Sequence, residues 1–358
     1  MNTAERAKTL ASYCQTTDIE TYLGYFAAVD LVQWVTLELG HPDILDGFVE
    51  IHPDQKSKAL PNGPILHILS GNSPHAGLQS LLRGILIGAE NIIKLPSSGS
   101  QVIENWIDNL PTELESLVKV IPTTEELTDE IFNQCKTVIA IGSDQTMRSI
   151  QTRIQPHQQF IPHGHKLSIG IIDQPSKQAA ELAVKDICAS NQQGCLSLHT
   201  IYVKENAAEF APILAEAMQQ YELAHPRGEI SLSESGVISN LRETIRYEAA
   251  NSPETYALYE SEDNTSWTVI YKNSAALSPS PLNRVVTVQP WPSDFSELGA
   301  ESQFLSTVAV HPDNLIDQID ANIPRISKLG YSQKPPLQWH HDGISPLSSL
   351  IRWRDIHH

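Results

Sequence analysis

The stretch PILHILSGNSPHAGLQSLLRGILIGAENIIKLPSSG, residues 64–99, decides the fold. It opens with a short apolar run, 64–69, that ends in Ser70-Gly71-Asn72-Ser73-Pro74. Apolar residues then recur at helical spacing: Leu78, Leu81, Leu82, Ile85 and Leu86. A second short run, 91–95, is closed by Pro96-Ser97-Ser98-Gly99-Ser100, a turn that leads into a helix from Val102. Strand, helix and strand in so short a stretch make a βαβ unit, whose strands run parallel.

The same alternation continues outward. Residues 117–121 and 137–141 read as buried strands, with a helix expected over 124–135 and Glu125 and Glu126 in its first turn. A second block starts near Lys166: an apolar run at 167–172, a helix from 176 to 189, a β-branched run at 198–203 and a helix from 207 to 221. Residues 267–271 and 306–310 read as strands, in a region richer in Ser, Pro and Asn. The implied architecture is α/β, with a parallel sheet covered by helices on both faces. Ligands in such sheets bind beyond the carboxyl ends of the strands. Gly71 to Pro74, Lys94 to Ser98 and Gly142 to Asp144 lie at those ends, and none forms a GxGxxG loop.

Composition narrows the function. A net charge of -18 argues against a nucleic-acid partner. No apolar run reaches the ~18 residues of a membrane span, and the N-terminus lacks a signal-peptide core. A cytoplasmic location with reduced thiols is the expectation. The four cysteines, Cys14, Cys135, Cys188 and Cys195, have neither CxxC spacing nor a paired His motif, so neither a metal nor a disulfide framework is expected. Cys195 stands apart because Asn191-Gln192-Gln193-Gly194-Cys195-Leu196-Ser197 reads as a polar turn between a helix and a strand. A nucleophilic thiol needs thiolate character and access, and a turn favours both. The alternative is a small buried hydrophobe.

Five segments in order carry a family resemblance. They are GNSPHAGLQSLLRGILIGAENIIKLPSS (71–98), VIAIGSDQTM (138–147), HGHKLSIGIID (163–173), NQQGCLS (191–197) and HDGISPLSSLIRWRDI (341–356). Together they resemble the aldehyde dehydrogenase superfamily, and within it the LuxC-type acyl-CoA reductases. The likeness implies a parallel, Rossmann-type cofactor domain plus a second α/β catalytic domain. The expected division is a helical N-terminal segment at 1–60, the cofactor domain at 61–165, the thiol domain at 166–330, and a segment at 331–358 closing onto the core.

The resemblance also implies roles. Cys195 would attack an acyl thioester, and Asn72 would donate to the oxyanion. Lys94 would meet the adenosine ribose, and Gly142 and Ser143 would open a helix under the pyrophosphate. Many NAD-specific relatives carry a Glu just after the Lys-x-Pro-Ser stretch. Here Ser97 and Ser98 bring no carboxylate, which favours NADPH. Where hydrolytic relatives hold a water-activating Glu, this chain has Pro162, which suits a reductase. His163 or His165 would then move protons. Gln303 stands where the family holds the nicotinamide ribose.

The implied reaction is NADPH-dependent reduction of a long-chain acyl-CoA or acyl-protein thioester to the aldehyde. An acyl-activating synthetase or acyl-transferase is the expected partner, and a homo-oligomer is open. The alternatives are a short-chain CoA-acylating dehydrogenase and a catalytically silent acyl- or partner-binding subunit.

Overall fold

The computed structural model describes residues 1–358 except 72, 73, 320, 321 and 358. The chain divides into two compact units, Met1–His165 with Pro336–His358, and Lys166–Pro335.

The first unit begins with helices α1 (Thr3–Gln15), α2 (Glu20–Leu23) and α3 (Ala28–Leu39) and an antiparallel pair, β1 (Val49–His52) and β2 (Gln55–Pro61). Then come β3 (Ile65–Ile68), α4 (Pro74–Leu86), β4 (Asn91–Lys94), α5 (Gln101–Asp108), α6 (Thr112–Glu115) and β5 (Val118–Ile121). α7 (Asp129–Gln134), β6 (Thr137–Ile141), α8 (Asp144–Gln151) and β7 (Gln159–His163) complete the alternation. The five-stranded sheet has the order β5-β4-β3-β6-β7, and every pair is parallel. Successive strands are added on one side of β3 and then on the other, so the strand order reverses between β3 and β6. That is where an open α/β sheet leaves a crevice at its carboxyl edge.

α4 packs along this sheet and is buried from Gly77 to Leu86, polar residues included. Those polar side chains must find partners. His67 on β3 meets Ser80 Oγ at 2.8 Å and Asn91 Oδ1 at 3.0 Å. Burial depresses its pKa to about 4, so its ring is neutral and structural. Gly84 is required by packing, because a Cβ there would fall 1.9 Å from Asn91 Oδ1.

Two expectations are corrected here. The end of the N-terminal segment expected to be helical, 1–60, is instead strand from Gln55. Ser57 and Ala59 alternate inward between Lys56 and Lys58, a period of two that a run of charges conceals. β2 also pairs antiparallel with the chain's last strand, Ile351–His357, from Ile351↔Pro61 to His357↔Gln55. The helix expected over 124–135 is confined to Asp129–Gln134, capped by Thr128. The carbonyls of Pro122, Thr123 and Glu125 instead accept from Lys94 Nζ.

The second unit contains β8 (Leu167–Ile172), α9 (Lys177–Cys188), β9 (Leu198–Val203), α10 (Ala207–Ala224) and α11 (Leu232–Asn251). It continues with β10 (Tyr256–Glu260), β11 (Thr268–Lys272), β12 (Val285–Pro290), β13 (Leu305–His311) and β14 (Arg325–Lys328). The seven-stranded sheet has the order β10-β11-β12-β9-β8-β13-β14, parallel except for β10. β8 and β9 lie side by side near its centre and are buried at every position, as continuous apolar runs in parallel sheets should be. The sequence gives little warning of α11, whose buried stripe is only Ile238, Arg242 and Ile245. Arg242 is accommodated by Thr268, Asn264, Ser261 and Trp267.

Candidate active site

In the second unit the chain leaves α9 at Cys188 and reaches β9 at Leu198 through a tightly held turn. Ser190, Asn191 and Gln192 have left-handed φ values of 47°, 52° and 66°. Such a run is costly for non-glycine residues and persists only where surrounding bonds enforce it. They do so here. Gln192 is fully buried and donates to the carbonyls of Leu198 and Val285, each at 2.8 Å. Asn191 accepts from Arg284 and donates to the Arg227 carbonyl, while Gln193 donates to Asn283. The polar residues that mark the turn in the sequence are therefore its anchors.

Cys195 sits on this turn, half-buried, with its carbonyl accepting from Ser168 Oγ on β8 at 2.8 Å. The other three thiols are buried. Burial pushes the Cys188 thiol up to about 12, and its Sγ lies 3.5 Å from Met218 Sδ. Cys14 is likewise raised to about 12 and Cys135 to about 11. Only Cys195 combines access with a fixed turn, the setting a nucleophilic thiol requires. Gln303 is exposed on a short 3-10 turn, Ala300–Phe304, just before β13.

In the first unit the candidate residues gather at the carboxyl edge of the five-stranded sheet. The loops after β3 and β4 touch backbone to backbone. A Cβ on Gly71 would fall 2.0 Å from the Ser98 carbonyl oxygen, and one on Gly99 would fall 2.4 Å from that of Gly71. Asn72 lies outside the described residues. Lys94 ends β4 with its ammonium on the loop carbonyls named above, and Ser97 and Ser98 are exposed. Ser143 caps α8 by accepting from Thr146 N, while the Gly142 amide donates to the His163 carbonyl at 3.1 Å.

The two histidines of the His-Gly-His segment part company. His165 is exposed, and its backbone amide donates to Asp144. His163 ends β7, buried, with Nδ1 2.8 Å from Asp342 Oδ2. His341 stacks on His163 with ring centroids 4.0 Å apart, and Trp339 stacks on His341 at 4.7 Å. His341 is held well below its usual pKa, chiefly by burial and secondarily by His163. Trp339 Nε1 donates to Gln79 on α4, and Arg83 one turn further on lines a cavity of about 20 Å³ with His163 and His341. That volume suits a single water-sized guest.

Among the described residues, His163, His341 and Asp342 are the one trio whose donor atoms lie close enough to share a cation, within 4.8 Å. Their geometry speaks against it. Rings stacked 10° from parallel carry their nitrogen lone pairs side by side instead of converging. Sequence reasoning missed Asp342. The available signal was Asp342-Gly343, whose φ values of 53° and 77° form a left-handed turn that aims a carboxylate inward.

The acyl-CoA reductase (LuxC) family model matches residues 4–353. The long-chain acyl-protein thioester reductase of Aliivibrio fischeri is 27% identical over 376 residues, covering 94% of this chain and 76% of that protein. Long-chain acyl-protein thioester reductase 2 of Photobacterium leiognathi is 27% identical over 334 residues, covering 83% and 64%. Among solved structures, an oxidoreductase from Marinobacter aquaeolei superposes with a TM-score of 0.73 at 12% identity, over 99% of this chain and 86% of that one. An indole-3-acetaldehyde dehydrogenase bound to NAD+ gives 0.69 at 12% identity, over 99% and 84%. At such identities these two matches establish the fold, which is that of the aldehyde dehydrogenases. With the family model spanning nearly the whole chain, this protein belongs to the LuxC-type acyl-CoA reductases of the aldehyde dehydrogenase superfamily, oxidoreductases that convert an acyl thioester to an aldehyde.

Proposed function

We propose that Cys195 is the nucleophile of this reduction, that NADPH is the reductant and that a long-chain acyl thioester is the substrate. The observation that carries the nucleophile is the contrast among the thiols. Cys195 is accessible on a braced turn, while Cys188, seven residues earlier, is buried and pushed up to about 12.

The thiolate of Cys195 attacks the acyl carbonyl. A carbon–sulfur bond to Cys195 forms, the donor's carbon–sulfur bond breaks, and the departing thiolate takes a proton. Asn72 is assigned as an oxyanion donor, since a charge developing on the carbonyl oxygen needs a fixed hydrogen bond. A nicotinamide dinucleotide, which Lys94, Ser97, Ser98, Gly142, Ser143 and Gln303 would hold, would supply the hydride that reduces the thioester carbon. Collapse of the thiohemiacetal oxyanion left on Cys195 breaks its carbon–sulfur bond, releasing the aldehyde and returning Cys195 to its thiolate.

The first unit's sheet fits a dinucleotide. Its strand order reverses between β3 and β6, and the Gly71 and Gly99 loops approach at distances that leave no room for a Cβ. Lys94, Ser97 and Ser98 bring one cation and two hydroxyls with no carboxylate, the donor set a 2′-phosphate requires. Gly142 and Ser143, at the start of α8, are assigned to the pyrophosphate, and Gln303 to the nicotinamide ribose. Proton handling is assigned to His163 in preference to the exposed His165. With Nδ1–H given to Asp342, Nε2 is the nitrogen left to exchange protons.

The test is mass spectrometry of the protein incubated with acyl-CoAs of several chain lengths and no reductant. An acyl mass on the Cys195 peptide is expected, strongest with long chains. Label on Cys188, or none at all, overturns the assignment.

A further inference from the structure

We propose that Arg325 sets the reactivity of Cys195, its guanidinium stabilising the sulfur as a thiolate. This rests on Cys195 being the nucleophile and adds the residue that activates it.

Two independent routes in the second unit bring Arg325 to the Cys195 turn. The first runs across the sheet. Arg325 on β14 is in register with Thr307 on β13, and Thr307 with Ser168 on β8. Arg325 Nη1 reaches Thr307 Oγ1 at 3.5 Å, and Ser168 Oγ donates to the Cys195 carbonyl at 2.8 Å. The second runs through the segment after β14. Arg325 donates to the carbonyls of Ser332, at 2.7 Å, and Tyr331, at 3.2 Å. The next residue, Gln333, donates to Ser197 Oγ at 3.0 Å, and its Oε1 lies 3.3 Å from where a Cβ on Gly194 would stand. The segment that Arg325 braces thus holds Ser197, two residues after Cys195, and passes close to Gly194, the residue before it.

The charges are consistent with this arrangement. Asp186 and Cys195 both lie within electrostatic reach of Arg325, and a negative charge on either favours the charged guanidinium. Burial lowers its pKa to about 10, which still leaves it a cation at neutral pH. A cation beside a thiol favours the thiolate. The opposing charge is Asp186 on α9, which accepts from the amides of Gly330 and Ser332. Burial raises its carboxyl to about 6, so it competes for Arg325 only above that pH. β9 brings His199, whose Nδ1 accepts from the Ser280 amide. β8 and β13 contribute Ser168 and Thr307, which do not titrate near neutrality.

The test is the pH dependence of iodoacetamide alkylation at Cys195, followed peptide by peptide in the full chain. Arg325→Gln should raise the midpoint by about one pH unit or more, slowing alkylation at pH 7 roughly tenfold. Arg325→Lys should restore most of the loss. Asp186→Asn should lower the midpoint, and it keeps the proposal testable if Arg325→Gln does not fold. Unchanged midpoints in the folded variants overturn the role of Arg325. Acyl labelling of the same samples reads the nucleophile separately. A labelled Cys195 with an unmoved midpoint sinks only the arginine, whereas an unlabelled Cys195 sinks the nucleophile.

Discussion

His163 and Asp342, 179 positions apart in the chain, meet at 2.8 Å with both side chains almost fully withdrawn from solvent. A buried carboxylate needs a donor, and the Nδ1–H of His163 supplies it, which fixes both the tautomer and the ring plane. His341, stacked on the other side, blocks rotation of the ring.

Removing that imidazole should therefore separate the two chemical steps. His163→Asn should slow aldehyde formation roughly 10²-fold, the usual size of a lost proton-transfer group. Acyl transfer to Cys195 should continue. Asp342→Asn should shift the pH profile of the same step, because the amide no longer selects one tautomer. Single-turnover measurement of acylation and reduction checks this, and equal losses in both steps would reduce the pair to a structural element.

Cys195→Ala should abolish acyl labelling while cofactor binding persists. Cys188→Ala should keep the label. Radiolabelled acyl-CoA and a cofactor fluorescence titration read the two properties independently.

Asn72→Ala should lower the rate of acylation by roughly 10²–10³, the cost of one oxyanion donor. Substrate affinity should change less. A large affinity loss at unchanged turnover would mean that Asn72 positions the substrate instead.

NADPH should be preferred over NADH. Lys94→Ala should weaken NADPH binding more than NADH binding, because a charge-assisted contact to the 2′-phosphate exists only with the former. Lys94 rests on loop carbonyls in the structure, so this role requires its ammonium to turn toward the phosphate. Equal losses for both cofactors would assign Lys94 to the shared ribose or to the loop.

The protein should lose stability as pH falls from about 6.5 toward 4. The folded pKa of His67 is depressed to about 4, so the unfolded chain binds its proton first over that window. Its contribution is of order 3 kcal/mol at the acid end. His67→Gln removes this slope. Asp186, raised to about 6, acts in the opposite direction and is common to both proteins, so the difference between them isolates His67. Urea midpoints at pH 7 and pH 4.5 decide the matter, and parallel losses in wild type and variant would refute it.

The sequence by itself determined what is local. Apolar runs at 65–68, 91–94, 137–141, 167–172 and 198–203 became strands because a parallel sheet buries both faces, leaving short uninterrupted runs that turn residues punctuate. The Cys195 turn was legible for the same reason, since Asn191, Gln192 and Gln193 spend their amides on holding it. Tertiary structure alone decided the rest. β2 was concealed because its lysines alternate with only two small inward residues, and its pairing partner lies at the far end of the chain. The helix expected over 124–135 begins only at Asp129, where Thr128 caps it, and the Glu125 carbonyl that would lie in its first turn accepts from a lysine of β4. Asp342 beside His163, and Arg325 in register with the strands behind Cys195, follow from which strand ends and turns the fold brings together. Periodicity reports which face of an element is buried. It carries no information about which distant side chain arrives opposite, and the charges that tune a reactive group are set by that arrival.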